Sequence, residues 1–405
     1  MSALIRRVAI IGAAATLGVS ALAGCGSSDN NKSDSANNGS GSAKISAACK
    51  LTNPPTSGAQ APATNADLGK ASGKVGVILP DTTSSTRYTL YDKPLLEKAL
   101  GDAGVTADVQ NAQGDKNKFA SIAQNMIGAG VKVLIIDSID AASGAGVEKA
   151  AGDAGVKVID YDRVNLGGSA PYYVSFDNED VGKLQAQTLV ACLDAQKVKK
   201  PKIIMMNGGT DVDNNAVLFM KGAHSVLDPL ADSGKLSIEQ EAVVKGWKVE
   251  NAAPAFTQAL TASGGKVDGV LAANDDIAGA VIGVLKNQGL DGHVVVTGQD
   301  AGVAGIQNII TGKQSMTVFK NVTLEAQAAA QLAIALIQGK DPSAAGLTLS
   351  DFADPQAPNH ALKALLLPAQ VITQANVQDV VDAGALKADE ICKNIEDQCS
   401  KLGIS

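Results

Sequence analysis

The chain has 405 residues, a formal net charge of −7 and 45% apolar residues. Roughly 330 residues remain after a polar N-terminal stretch, which suits two lobes of ordinary domain size. A mildly acidic chain lacks the clustered Lys and Arg that nucleic-acid phosphates require. With 3 His and 5 Cys, the composition also argues against a zinc cluster or a Cys/His catalytic centre.

The first 24 residues resemble a bacterial export signal. Two arginines precede the apolar run 8–19, which is shorter than the roughly 20 residues that a membrane span needs. The sequence LAGC (22–25) follows and resembles a lipobox, in which the chain is cut before the Cys and that Cys carries lipid. We predict a lipoprotein signal peptide over 1–24 with lipid on Cys25. A plain signal peptide with an incidental Cys is the alternative.

Residues 25–72 are rich in Gly, Ser, Asn, Ala and Pro. This composition cannot bury enough apolar surface to offset the entropy lost on ordering. We therefore predict a disordered tether that holds the folded part near the outer face of a membrane. No later apolar stretch is long and uninterrupted enough to span a bilayer.

Four cysteines remain once Cys25 is set aside, and an exported chain meets oxidising conditions that favour pairing. Four cysteines allow three connectivities. Cys392 and Cys399 are near neighbours in sequence and form the favoured pair, with Cys49–Cys192 second. Free buried thiols are the alternative.

From residue 74 onwards, short β-branched runs alternate with stretches of helical periodicity. Continuous apolar runs are typical of buried parallel strands, and strand–helix–strand repetition indicates right-handed βαβ units. The strands are too many for one compact sheet, so we predict an α/β fold of two doubly wound parallel-sheet lobes. The predicted strands begin near residues 75, 131, 156, 202, 267, 293, 315 and 364.

Polar side chains follow nearly every predicted strand. In open α/β sheets the ligand lies beyond the carboxyl ends of the strands. Each polar residue alone is more often a helix cap or a turn residue, but together they predict one polar cleft. They are Asp137 and Ser138, Asp162 and Arg163, residues 207–215, Asn274 and Asp275, Gln299 and Asp300, and Lys320.

Enzyme motifs are mostly absent. The sequence has no GxGxxG after a strand, no GxxxxGK[ST] phosphate loop, no GxSxG elbow and no HExxH. The three histidines, at 224, 293 and 360, are far apart. We predict a chain that is not an enzyme and that carries no metal or cofactor.

Several motifs occur in a fixed order over most of residues 74–373. They are YDR (161–163), YYVSFDNEDVGKLQAQTLV (172–190), GGTDVDNNAVLF (208–219), GW followed by ENA (246–252), AAND (272–275), TGQDAGVAGIQ (297–307) and MTVFK (316–320). Together they resemble the type I periplasmic sugar-binding proteins of ABC importers. Within that family the match favours members that bind D-xylose, although the loop 79–88 departs from the pattern and leaves the sugar open.

The resemblance implies two lobes joined by three crossovers near residues 176, 320 and 366. The N-terminal lobe would comprise 73–176 and 321–366. The C-terminal lobe would comprise 177–320 and 367–405. Closure of the lobes about this hinge would trap the ligand, and a membrane permease would read the closed form.

The resemblance also implies a set of sugar ligands. Carboxylates accept hydrogen bonds from sugar hydroxyls, Arg and Lys donate, and amides do both, while an indole covers the C–H face of the ring. The expected partners are a monosaccharide, the permease and a membrane reached through the lipid; the chain is expected to be a monomer that binds no nucleic acid. The implied ligands are Arg87, Tyr88, Asp162, Arg163, one of Asn214 and Asn215, Trp247, Asn274, Asp300 and Lys320.

Two rival classes of protein remain. A DNA-binding repressor of the same fold would need a helix-turn-helix at the N-terminus, where this chain has an export signal. A secreted sugar-processing enzyme could use Asp162 and Asp300 as paired carboxylates, but no nucleophile or cofactor motif accompanies them. Within the binding class, the ligand could be glucose, ribose or arabinose, and a chemoreceptor could also read the loaded form.

Overall fold

The computed structural model describes residues 45–58 and 68–405. The predicted signal peptide and Cys25 lie outside the described residues. Within the described part, no helix has the length and apolar character that crossing a bilayer would require.

The described residues form thirteen strands. They are β1 (Lys74–Leu79), β2 (Thr106–Asn111), β3 (Val133–Ile136), β4 (Lys157–Tyr161), β5 (Tyr172–Phe176), β6 (Lys202–Asn207), β7 (Ser237–Val243), β8 (Gly269–Ala272), β9 (Val295–Val296), β10 (Met316–Phe319), β11 (Ser350–Phe352), β12 (Leu362–Leu367) and β13 (Gln370–Thr373).

Twelve α-helices accompany the strands in this part of the chain. They are α1 (Lys93–Asp102), α2 (Lys116–Gly128), α3 (Ala141–Asp153), α4 (Asn178–Ala195), α5 (Asn214–Asp232), α6 (Ala252–Ala262), α7 (Asp275–Asn287), α8 (Val303–Ile310), α9 (Val322–Ile337), α10 (Gln378–Asp382), α11 (Ala388–Cys392) and α12 (Glu396–Leu402).

The first sheet has seven strands in the order β11-β12-β5-β4-β3-β1-β2, and only the β11–β12 pair is antiparallel. Successive residues of a strand point to opposite faces. Val77 of β1 accordingly packs with α1 and α9, whereas Ile78 packs with α2 and α3. Helices therefore cover both faces, which is why the central strands are mostly apolar.

The second sheet has four parallel strands in the order β7-β6-β8-β9. Helices α4 and α5 cover one face, and α6 and α7 cover the other. Helices α4 and α5 cross in backbone contact, since a Cβ on Gly182 would lie 2.0 Å from Phe219 O and one on Gly222 would lie 1.9 Å from Glu179 O. The antiparallel pair β10–β13 continues beside β9 through a bridge between Gln299 and Val318.

The chain passes between the two sets of strands after β5, after β10 and after β12. These connections fall at residues 176–178, 319–322 and 367–370. The predicted α/β fold with two doubly wound parallel sheets is confirmed. The exact lobe boundaries stay a prediction.

The N-terminal segment 45–58 corrects the predicted tether over 25–72. Ala47 and Cys49 are buried, and Ala47 N donates to Gly292 O at 2.9 Å. Further along, Thr56 pairs with Gln370 of β13. These contacts fix a segment whose composition alone favours disorder, so the folded body begins well before residue 72.

The structure contains two disulfides. Cys49 is joined to Cys192 of α4, and Cys392 is joined to Cys399. The second is the pair that the sequence favours, and the first fastens the N-terminal segment to the helices around the second sheet.

Candidate functional site

A cavity of about 290 Å³ lies where the carboxyl ends of the two sheets face each other. Its walls come from the loops after β1, β4, β6, β7, β8, β9 and β10. All of the predicted ligands except Asn214 line it. The lining residues are Ser84, Ser85, Arg87, Tyr88, Asp162, Arg163, Asp213, Asn215, Phe219, Trp247, Asn274, Gln299, Asp300 and Lys320.

The start of α5 separates the two candidate asparagines. Asp213 caps this helix and accepts from Asn215 N at 2.8 Å. Neighbouring residues on a helix point about 100° apart, because a turn takes 3.6 residues. Asn215 therefore faces the cavity, where its Nδ2 donates to Asp162 O at 2.8 Å, and Asn214 lines an adjacent groove.

Asp162 is held by partners from three parts of the chain. Tyr88 OH donates to its Oδ2 at 2.9 Å. Arg87 Nη1 lies 3.3 Å and Lys320 Nζ 3.6 Å from its Oδ1. Burial opposes ionisation, but the charges of Arg87, Lys320 and Arg163 outweigh it and lower the pKa of Asp162 below its ordinary range. The side chain is a carboxylate at any physiological pH.

Arg87 organises the first loop. Its Nε and Nη2 donate to Asp92 at 2.9 and 2.7 Å, and Nη2 also reaches Glu325 at 2.5 Å. Most of its five N–H groups are thus engaged with carboxylates other than Asp162. Its position at the cavity is as predicted, but its bonds to Asp92 and Glu325 leave only Nη1, 3.3 Å from Asp162, directed at the cavity.

Arg163 reaches from the loop after β4 to residues of both sheets. Its Nη2 donates to Ser84 Oγ at 3.0 Å and to Tyr88 OH at 3.2 Å. Its Nε lies 3.5 Å from Asp213 Oδ2 on the opposite wall. The side chain therefore joins the two walls of the cavity electrostatically.

Asp300 stands opposite Asp162. Ser85 Oγ donates to its Oδ2 at 3.1 Å, and Lys320 Nζ lies 3.4 Å from its Oδ1. Lys320 thus sits between the carboxylates of Asp162 and Asp300, and their charges raise its pKa although burial acts in the opposite direction.

Asp275, the first residue of α7, fixes the loop that carries Asp300. It accepts from Gly302 N at 3.0 Å and from Gln314 Nε2 at 2.8 Å. A Cβ on Gly298 would lie 2.1 Å from Asp275 Oδ1, so this position requires glycine. Burial raises the pKa of Asp275 to about 8.

Trp247 forms an aromatic wall. Its Nε1 donates to Asp213 Oδ2 at 3.0 Å. Phe219 meets the indole edge-on, with ring centroids 6.3 Å apart. Gly208 lies against the ring so closely that a Cβ there would be 2.1 Å from Cη2.

Three lining residues other than glycine have a left-handed backbone. The φ angles are 57° for Asp162, 58° for Trp247 and 90° for Asp300. Such angles are uncommon and cost free energy, and they cluster at functional sites where the surrounding structure enforces them. Their convergence on one cavity is independent support for a site.

Several buried polar atoms around the cavity lack a hydrogen-bond partner among the described residues. They include Gln299 Oε1, Asp300 Oδ1 and Arg163 Nε, with both carboxylate oxygens of Asp137 close behind Arg163. Unpaired buried acceptors are costly. A ligand that carries several hydroxyl groups would supply donors to the oxygen atoms and an acceptor to Arg163 Nε. Among all the described residues, no group of three or more His, Cys, Asp or Glu side chains is placed to hold a metal ion.

Five lining residues were not among the predicted ligands: Ser84, Ser85, Asp213, Phe219 and Gln299. Asp213 and Gln299 do fall in the strand-end clusters that the sequence singles out. Ser84 and Ser85 lie in the loop that departs from the family pattern. Phe219 sits on α5, a full helical turn beyond Asn215, so only helical spacing from that residue could have indicated it.

The sequence pattern of the family described as periplasmic binding protein domain matches residues 75–341. The chain belongs to this family. Among the periplasmic binding proteins it is 42% identical over 253 residues to the D-xylose-binding periplasmic protein of Escherichia coli, which covers 62% of this chain and 75% of that protein. It is 35% identical over 344 residues to the multiple sugar-binding periplasmic receptor of Rhizobium radiobacter, covering 82% of this chain and 94% of the relative.

Solved structures of periplasmic binding proteins agree with this assignment. A carbohydrate transporter solute-binding protein of Chloroflexus aurantiacus in complex with D-glucose superposes with a TM-score of 0.70 at 31% identity, covering 79% of this chain and 98% of that one. The predicted membership of the type I sugar-binding group is confirmed. The chain is a binding protein rather than an enzyme.

Proposed function

We propose that this periplasmic sugar-binding protein captures a neutral monosaccharide, D-xylose in the first instance, and delivers it to the permease of an ABC importer. The observation that carries the proposal is the cavity between the two sheets, with buried charged and amide groups on several walls and an indole on another. Polar groups that donate and accept around a ring, with an aromatic plate for its C–H face, are the chemistry that a sugar requires.

The charges favour a ligand without a net charge. Three cationic side chains, Arg87, Arg163 and Lys320, face three carboxylates, Asp162, Asp213 and Asp300. Each of the three cations already lies beside a carboxylate, so a sugar acid or an amino sugar would add a buried charge without a free counter-charge, which is costly in a dry site.

The choice of D-xylose rests on the relatives. Two D-xylose-binding periplasmic proteins are 42% and 40% identical to the chain. Relatives named as multiple sugar-binding proteins and a structural neighbour bound to D-glucose make glucose the second candidate. The first loop, with Ser84 and Ser85 at the cavity, is the part of the wall whose sequence departs from the family.

The ligand would act by stabilising the closed form. Asn274 Nδ2 donates to Ser84 O at 3.2 Å, and Ser85 Oγ donates to Asp300 at 3.1 Å. Both contacts join a loop of the first sheet to a loop of the second. A sugar that bonds to both walls binds the closed form more tightly than the open form, and this difference in affinity drives closure.

Binding is tested by isothermal titration calorimetry with D-xylose, D-glucose, D-ribose, L-arabinose and D-galactose. We expect a dissociation constant near 1 μM for the preferred sugar, about −8 kcal/mol. Asp300→Asn removes the charge beside Lys320 and should weaken binding about 30-fold, since a hydrogen bond to a charged group contributes roughly 2 kcal/mol. Lys98→Met, which breaks only an exposed ion pair with Asp102, is the matched control. Absence of heat with every sugar would refute the proposal.

We further propose that lipid on Cys25 holds the protein at the outer face of the cytoplasmic membrane. The support is the lipobox after a short apolar run. Expression with a radiolabelled fatty acid should label the wild-type chain and leave the Cys25→Ser variant unlabelled and released into the soluble fraction. Equal membrane association of both variants would contradict the assignment.

A further inference from the structure

A second concave site adjoins the cavity. It is a groove of about 960 Å³, open on one side, between the loops after β3 and β4 and the start of α5. Arg163 and Asp213 line both the cavity and the groove. The two spaces therefore share an ion pair as a common wall, with Arg163 Nε 3.5 Å from Asp213 Oδ2.

We propose that this groove is a second saccharide subsite, so that the protein accepts a disaccharide with one ring in the cavity and the other in the groove. The inference rests on the proposed function and extends it from single sugars to short oligosaccharides. The linkage between the rings would pass beside Arg163 and Asp213, which would then bond to hydroxyls on either side of it.

Buried polar atoms in the groove support a ligand with hydroxyl groups. Ser138 Oγ is without a hydrogen-bond partner in the described structure, and its residue is only 1% exposed. Arg163 Nε has ion-pair neighbours at 3.5 and 3.7 Å but no hydrogen bond, and its residue is 6% exposed. A buried hydroxyl and a buried guanidinium N–H on residues that line a groove are donors whose hydrogen-bonding capacity a second sugar ring could satisfy once it is seated there.

Besides the ion pair of Lys116 with Asp140 and the carboxylate of Asp211, the groove has uncharged polar and apolar side chains, a mixture that matches a sugar ring. Thr210 and Asn214 contribute a hydroxyl and a carboxamide, while Leu166 and Val217 contribute apolar surface. Val217 is 37% exposed, one of only four large apolar side chains in the described residues to be so open. Hydroxyls beside C–H faces are what a pyranose presents, and neither a bare anion nor a purely apolar ligand matches this lining.

The groove also accounts for Asn214. The family resemblance leaves Asn214 and Asn215 as alternatives, and the structure places one at each space. Adjacent asparagines at the first turn of α5 would thus each contact one ring of a two-ring ligand.

The test compares a monosaccharide with its dimer on three proteins. D-Xylose and β-1,4-xylobiose, and D-glucose and cellobiose as a second pair, are titrated calorimetrically into the wild type, Val217→Trp and Val243→Trp. Val243 is 36% exposed and lines neither space, so it is the matched control for a bulky indole at an exposed valine. Thermal unfolding of each variant checks that it is folded.

We expect the wild type to bind a disaccharide within about tenfold of its monosaccharide. Val217→Trp should weaken the disaccharide at least tenfold and leave the monosaccharide unchanged, whereas Val243→Trp should change neither. Binding of the monosaccharide alone would overturn the second subsite and leave the proposed function intact, as would equal binding of the disaccharide to all three proteins. Failure to bind either kind of sugar would overturn both.

Discussion

The wall formed by Trp247 depends on a glycine that lies against it. An alanine at position 208 would place its Cβ 2.1, 2.3 and 2.4 Å from three atoms of the indole ring, where ordinary contacts begin at 3.4 Å. The ring would have to retreat by at least 1.3 Å, the difference between 3.4 and 2.1 Å. We therefore expect Gly208→Ala to impair sugar binding without touching a polar ligand.

The retreat is opposed on other sides of the ring. Trp247 Nε1 is bonded to Asp213 at 3.0 Å, and the backbone of Trp247 is fixed in the left-handed region at a φ of 58°. Overpacking of this kind costs roughly 1–3 kcal/mol. If the cost falls on the sugar-bound form, affinity should drop about 5- to 150-fold.

Calorimetry with the preferred sugar measures the loss, and the emission of Trp247, the chain's one tryptophan, reports displacement of the ring in the free protein. Gly146→Ala is the matched control, because that glycine lies in α3 and a Cβ added to it would have nothing within 4 Å. Alanine there should stabilise the helix by about 0.5–1 kcal/mol. Wild-type affinity and an unchanged emission maximum for Gly208→Ala would show that close packing of Gly208 against the indole of Trp247 is not needed for sugar binding.

Two further predictions concern stability. In the chain-entropy description a disulfide contributes more when it closes a longer loop. The paired cysteines are 143 and 7 residues apart, so replacing Cys49 and Cys192 by alanine should cost about 5 kcal/mol and replacing Cys392 and Cys399 about 2 kcal/mol. Urea unfolding that ranks the two double variants in the opposite order would contradict this prediction. Asp275, whose pKa is raised to about 8 by burial, keeps a proton in the folded chain that the unfolded chain loses above about pH 4, so the free energy of unfolding should fall as pH rises from 4 to 8 and level off above 8. Asp275→Asn should flatten the dependence of the unfolding free energy on pH, measured by urea titrations from pH 5 to 8. An unchanged dependence on pH in this variant would mean that other groups cause it.

The cleft could be predicted because parallel strands end at a common edge. Within each sheet the topology brings polar residues after the apolar runs to one edge, and the facing of the two sheets joins Asp162 of the first with Asn274 of the second. No knowledge of side-chain contacts was needed for that step. The family resemblance then selected the sugar ligands, most of them from these polar residues, and nearly all of the selected residues line one cavity.

Strands at the sheet edges were harder to predict. Strands β2 and β7 lie at the ends of their sheets and are half exposed, so their residues alternate with polar ones and lack a continuous apolar run. The N-terminal segment shows the same limit in another form. A disulfide from Cys49 to a residue 143 positions later orders a stretch that its own composition would leave without structure.

The direction in which a strand-end side chain points was beyond the sequence. Asp275 follows β8 as directly as Asn274 does, yet it turns inward to hold the loop of Asp300, while Asn274 reaches across to Ser84. The hydrogen-bond partners within reach of each side chain differ, and those partners come from distant parts of the chain. A strand-end position therefore locates a residue at the cleft, but tertiary contacts decide whether it can meet a ligand or must support a neighbour that does.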